Sequence, residues 1–192
     1  YNCGEDSEKA AAMNKLAGDQ FVLVAESILM QGDTHDHVAY YFEMAAGHYY
    51  DGEQYETAIM THKLAGEEYQ ATAAMAFSND DHHTAALHYG NAAACYRDAM
   101  DPGKAVWMNT LAGDQLVLVA EEAVAQSSHE KAALHYRHAS EAYSTANEGV
   151  NADDMSKLSG DHYETAANEA VVEGFHGKAA SNYQNAAEAY SK

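Results

Sequence analysis

Histidine is the residue type whose placement in this chain could do chemistry: twelve occur in 192 residues, several beside carboxylates. His35 and His37 flank Asp36 and follow Asp33, while His82 and His83 follow Asp80 and Asp81. His129 precedes Glu130, and His176 is followed by Gly177 and Lys178. Imidazole nitrogens and carboxylate oxygens in one short segment make a donor set for a divalent cation such as zinc or copper. His35, His37, His82, His83 and His129 are therefore the candidate metal ligands. The acidic neighbours thin out from one histidine to the next, which a metal site repeated for function would not do. The competing reading, in which each histidine packs or caps the start of a helix, is preferred.

Other catalytic signatures are missing. There is no His-Glu-x-x-His segment, no phosphate-cradling glycine loop and no Cys-x-x-Cys pair. Asp51-Gly52-Glu53 is too short for a calcium loop of the twelve-residue kind. The two cysteines, Cys3 and Cys95, make no disulfide framework, and their pairing within a chain, between chains or not at all stays open. No catalytic residue is assigned, and the expectation is a protein that is not an enzyme and has no resident cofactor, a divalent cation apart.

The elements that must carry these histidines repeat four times. Lys15-Leu16-Ala17-Gly18, Lys63-Leu64-Ala65-Gly66, Thr110-Leu111-Ala112-Gly113 and Lys157-Leu158-Ser159-Gly160 place their leucines 48, 47 and 47 residues apart. His35, His82, His129 and His176 follow one another at intervals of 47. A period of this length marks a helical-repeat array, in which no unit buries its apolar face alone. The repeats run approximately over 5–51, 52–99, 100–147 and 148–192, so one helical-repeat domain over 1–192 is expected.

Each marker histidine opens the second helix of its repeat. Small residues follow at offsets 3 and 4 (Ala85/Ala86, Ala132/Ala133) and again at 10 and 11. A ring follows at offset 7 (Phe42, Tyr89, Tyr136, Tyr183) and a tyrosine at offset 14 (Tyr49, Tyr96, Tyr143, Tyr190). Those spacings put the set on one helical face. Asp33-Thr34, Asp80-Asp81 and Ser127-Ser128 are good helix starts, and Gly174-Phe175 is a weaker one. The first helix of each repeat is longer, expected at 53–77 in the second repeat and 104–126 in the third. It carries a glycine that costs about 1 kcal/mol relative to alanine. Close approach of a neighbouring helix is the preferred reason, with a local kink as the alternative.

Thirty acidic residues against ten basic ones give a net charge of −20. Such a surface repels phosphate backbones and anionic membranes, so no nucleic-acid partner is expected. Phe21-Val22-Leu23-Val24-Ala25, the most apolar stretch, is far too short to span a bilayer, and no membrane insertion is expected. The chain starts at Tyr1 without an initiator methionine, which fits a mature extracellular protein, with a cytoplasmic one as the alternative.

These residues resemble the tetratricopeptide repeat. Its large–aliphatic–small pattern matches Leu116, Val119 and Ala120, and its alanine–aromatic–alanine pattern matches Ala132, Tyr136 and Ala139, and likewise Ala85, Tyr89 and Ala92. The tetratricopeptide period is 34 residues, and the longer form here is similar to the repeats of soluble NSF attachment proteins, most closely over residues 38–53. The resemblance implies a fold: an all-α, right-handed TPR-like α-solenoid of four antiparallel hairpins, about eight helices.

An array of this kind acts through protein–protein contacts, and both ends keep packing-type residues. Ala10, Met13, Leu16 and Phe21 in the first repeat, and Ala179, Tyr183, Ala186 and Tyr190 in the last, are the candidate self-association surfaces. End-to-end assembly into a filament or other homo-oligomer is the leading expectation. The alternative is a monomeric adaptor that holds a basic peptide or helix in a concave groove.

Overall fold

The computed structural model describes residues 3–32 and 34–191, with side chains described from residue 6 onward, and every regular element in it is an α-helix. Eight follow in order among the described residues: α1 (Cys3–Met30), α2 (His35–Asp51), α3 (Tyr55–Ser78), α4 (His82–Asp98), α5 (Pro102–Ala125), α6 (His129–Thr145), α7 (Gly149–Val172) and α8 (His176–Tyr190). Long helices of 28 or 24 residues alternate with short ones of 17 or 15. The four marker histidines are the first residues of α2, α4, α6 and α8. The boundaries expected for α3 and α5 fall within two residues of those observed.

The chain divides into two compact units, one of Tyr1–Asn79 with His88–Met108 and one of Asp80–Leu87 with Asn109–Lys192. In the first, α2 packs against both α1 and α3; in the second, α7 packs against both α6 and α8. In the first unit the short helix α2 is thus held by the long helices of its own and of the next repeat.

The connections share one geometry. Six are three residues long, and the middle residue of each has a positive φ: Glu53 (59°), Asp80 (56°), Met100 (57°), Ser127 (55°), Asn147 (59°) and Gly174 (82°). In five of them the third residue's N–H reaches back to a carbonyl five residues earlier, as in Gln54 to Tyr49 at 2.8 Å and Glu148 to Tyr143 at 2.9 Å. That bond closes a helix end through a left-handed residue and satisfies a carbonyl the helix leaves open. Starts are less uniform. Asp81 and Asp101 each accept a backbone N–H three residues on, at 3.1 Å, and so cap α4 and α5. Thr34 and Ser128 occupy the corresponding positions of α2 and α6 without a side-chain capping bond. Asp33, proposed to share the first start, lies outside the described residues.

The glycine inside each long helix has a specific reason. A β-carbon added at Gly18, Gly66, Gly113 or Gly160 would stand 2.9, 3.1, 2.8 or 2.5 Å from the ring of Tyr49, Tyr96, Tyr143 or Tyr190 respectively. Each offset-14 tyrosine therefore lies across the bare backbone of the long helix in its own repeat. In three repeats the phenol then donates to the carboxylate just after the glycine: Tyr49 to Asp19 at 2.9 Å, Tyr143 to Asp114 at 2.7 Å, and Tyr190 to Asp161 at 2.7 Å. In the second repeat Tyr96 donates instead to Gln70, at 2.9 Å, and Lys104 covers its ring at 4.6 Å. Close approach is the observed reason for the glycine, and it is the approach of a ring.

Candidate functional site

Three of the four marker histidines bridge repeats. His35 Nδ1, at the start of α2, donates to Glu68 Oε2 in α3 at 2.5 Å. His82 Nδ1 donates to Gln115 Oε1 at 2.9 Å, and the Nδ1 atoms of His129 and His162 share a proton at 3.1 Å. In all three the partner lies 33 residues further on. Sequence reasoning found the histidines and missed these partners, because Glu68, Gln115 and His162 differ in type. The signal was positional: each, like Gln20, stands two residues after its repeat glycine.

This bridging accounts for most of the candidate metal ligands. His35, His82 and His129 start α2, α4 and α6 and are engaged as above, while the His83 ring meets the edge of His135 at 5.9 Å. His37 lies on the exposed side of α2, next to Asp36. Among the described residues no three His, Cys, Asp or Glu side chains converge as a metal-binding group. Three histidines are held below their ordinary pKa. Burial depresses His162, helped by the neighbouring His129; burial depresses His135, helped by His83 and His138; and burial depresses His88. Cys95 is a buried free thiol, and burial with the nearby Glu43 and Asp98 pushes its pKa up to about 12, so it has no thiolate character at neutral pH. Cys3, its possible partner, has a side chain outside the described residues.

The first and last helices expose what their counterparts bury. Tyr136 and Tyr143 of α6 are each only 6% exposed, wedged between α5 and α7 residues. Their counterparts on α8, Tyr183 and Tyr190, are 42% and 49% exposed. Ala180 and Ala187 of α8 are exposed as well, whereas Ala133 and Ser140 of α6 are buried. In α1 Met13 is 60% exposed and Met108, its counterpart in α5, is fully buried. Ala10 and Leu16 are also exposed on α1.

Three of the candidate end residues stand differently. Ala179 and Ala186 are buried within the chain, Ala186 packing with Tyr163 and Ala133, so they are not end surface. Phe21 is half-buried, stacked on His48 at 5.2 Å. The offsets grouped on one face in the sequence divide here. On α8 offsets 3 and 10 are covered, Ala186 by Tyr163 and Ala133, while offsets 4, 7, 11 and 14 are exposed.

A cleft of about 820 Å³ lies in the first unit, lined by Tyr50, Tyr55, Ile59, His62, Arg97 and Met100 among others. Asp51 and Asp98 put two carboxylates in its wall. Among the described residues, no helix is long and apolar enough to cross a membrane. No protein-family model matches the chain, and a search of curated proteins finds no significant relative.

Proposed function

We propose that this chain is a non-catalytic helical-repeat scaffold that associates end to end with further copies of itself, in a filament or another homo-oligomer. The observation that carries the reading is the uncovered face of α8: Tyr183 and Tyr190 lie open where the equivalent rings of α6 are buried under the next repeat. The complementary face is that of α1, where Ala10, Met13 and Leu16 stand exposed at positions like those with which α7 covers α6. Fully burying a tyrosine- or methionine-sized side chain contributes about 1.5–3 kcal/mol, so closing a few such positions is enough to drive association. A contact between two different faces of one protomer is heterologous and propagates unless its rotation closes a ring.

Electron microscopy and light scattering of the purified protein test the reading. Ala180→Glu and Met13→Glu alter side chains already exposed in the protomer, so helix content and unfolding midpoint should hold while each abolishes assembly. Assembly that survives both substitutions would refute end-to-end contact through these faces.

A second reading keeps the protomer monomeric and places a basic segment against the first unit. The cleft of about 820 Å³ and its Asp51 and Asp98 carboxylates favour it. A monomer that binds a lysine-rich helical peptide, and loses it on Asp98→Asn, would support that reading over self-association.

A further inference from the structure

We infer that the joint between copies repeats the α6–α7 contact in register, with α1 of one copy taking the place of α7 against α8 of its neighbour. The inference rests on the end-to-end reading above and specifies its partner and its register.

The α6–α7 contact supplies the template. Ser159 Oγ donates to the Ala133 carbonyl at 2.8 Å, the Ser140 and Ser156 hydroxyls meet at 3.0 Å, and His129 meets His162 at 3.1 Å. The repeat period carries Ala133, Ser140 and His129 onto Ala180, Ala187 and His176 of α8. It carries Ser159, Ser156 and His162 back onto Ala17, Asn14 and Gln20 of α1.

The three positions on α8 are exposed, and so is Gln20; Ala17 and Asn14 are half-buried. Alanine facing alanine at 180 and 17 permits an approach at least as close as that of Ser159 to the Ala133 backbone. The polar position is more telling. His176 and Gln20 are the one marker histidine and the one post-glycine residue not joined by the described bridges, and the same pair of residue types, His82 and Gln115, is already bonded within the chain at 2.9 Å. A helix face of small and apolar residues tolerates several registers; a histidine that must meet a glutamine selects one. The surface on α8 is therefore shaped and keyed for the first helix of a second copy of this chain.

Disulfide trapping tests the register. In a chain whose native cysteines are replaced (Cys3→Ser, Cys95→Ala), Ala17→Cys with Ala180→Cys should give a ladder of covalent multimers on mild oxidation. The ladder is expected because the template brings these two positions into near contact, within disulfide reach. Ala17→Cys with Ala187→Cys, displaced by two helical turns or roughly 10 Å, should give none. A control independent of core packing uses the exposed pair: His176→Ala and Gln20→Ala should each weaken association about fivefold, and the double variant no further. A ladder from the displaced pair, or additive losses from the two alanine variants, would overturn the register while leaving end-to-end association standing. Absence of any association by light scattering would remove the end-to-end reading itself.

Discussion

The Tyr143 hydroxyl donates to Asp114 across a glycine whose missing β-carbon would stand 2.8 Å from the ring, so ring, glycine and carboxylate work as one clasp. Gly113→Ala gains about 1 kcal/mol of helix propensity but must displace a buried ring, an overpacking cost of about 1–3 kcal/mol. Chemical denaturation should show a net loss of up to about 2 kcal/mol. Gly160→Ala should cost less, because Tyr190 is half-exposed and free to swing outward. One of the bridging residues, His162, carries a pH dependence. Burial and His129 hold His162 below its ordinary 6.5, so its contribution to stability is complete above that value and is lost as pH falls through the depressed folded pKa. Asp161 opposes the shift, and Glu169 stands 3.6 Å from His129 Nε2. His162→Gln copies the His82–Gln115 pair, so it should keep the fold at pH 7.5 and reduce the loss of unfolding free energy between pH 7.5 and 5.5. The dependence that remains belongs to His88 and His135, shifted in the same direction. An undiminished pH dependence would show that His162 does not supply it.

The helices were legible in the sequence because a 47-residue period fixes where each one begins, and offsets 3, 4, 7, 10, 11 and 14 admit no other secondary structure. The turn geometry was not. Five of its left-handed residues are Glu53, Asp80, Met100, Ser127 and Asn147, and only the asparagine and aspartate advertise that conformation. Residue preference yields there to the backbone closure of the helix end, which takes the same three-residue left-handed form whatever the residue. Met100 is the least suited, as an unbranched apolar side chain held at φ 57° and 76% exposed. Met100→Gly should therefore stabilise the chain by about 1 kcal/mol in urea denaturation, and an unchanged midpoint would mean that the methionine packs in a way its exposure does not suggest. The division of the small-residue face was also beyond the sequence. Ala179 and Ala180 are adjacent and identical, and only the packing of α8 against α7 decides that the first is covered and the second open.

Taken as a molecule, the chain combines two uncovered packing faces with a net charge of −20. In the proposed assembly burial would draw copies together while like charge drives them apart, and the Debye length of about 10 Å at 0.1 M salt sets which dominates. Exposure in the first and last helices was half legible in the sequence. Met13, Leu16, Tyr183 and Tyr190 were named because they keep the internal pattern, and all four stand exposed, whereas Ala179 and Ala186 are buried. Gln20 and His176 enter the proposed joint only through the bridges elsewhere in the chain, where a marker histidine meets the residue two after a repeat glycine. Sedimentation velocity of the unmodified protein, across a hundredfold range of concentration at 0.02 M and 0.3 M salt, tests the central claim most directly. Self-association through the end faces is expected to raise the sedimentation coefficient with concentration, and to do so at lower concentration in the higher salt. A single species of 20.8 kDa at every concentration and both salts would contradict it.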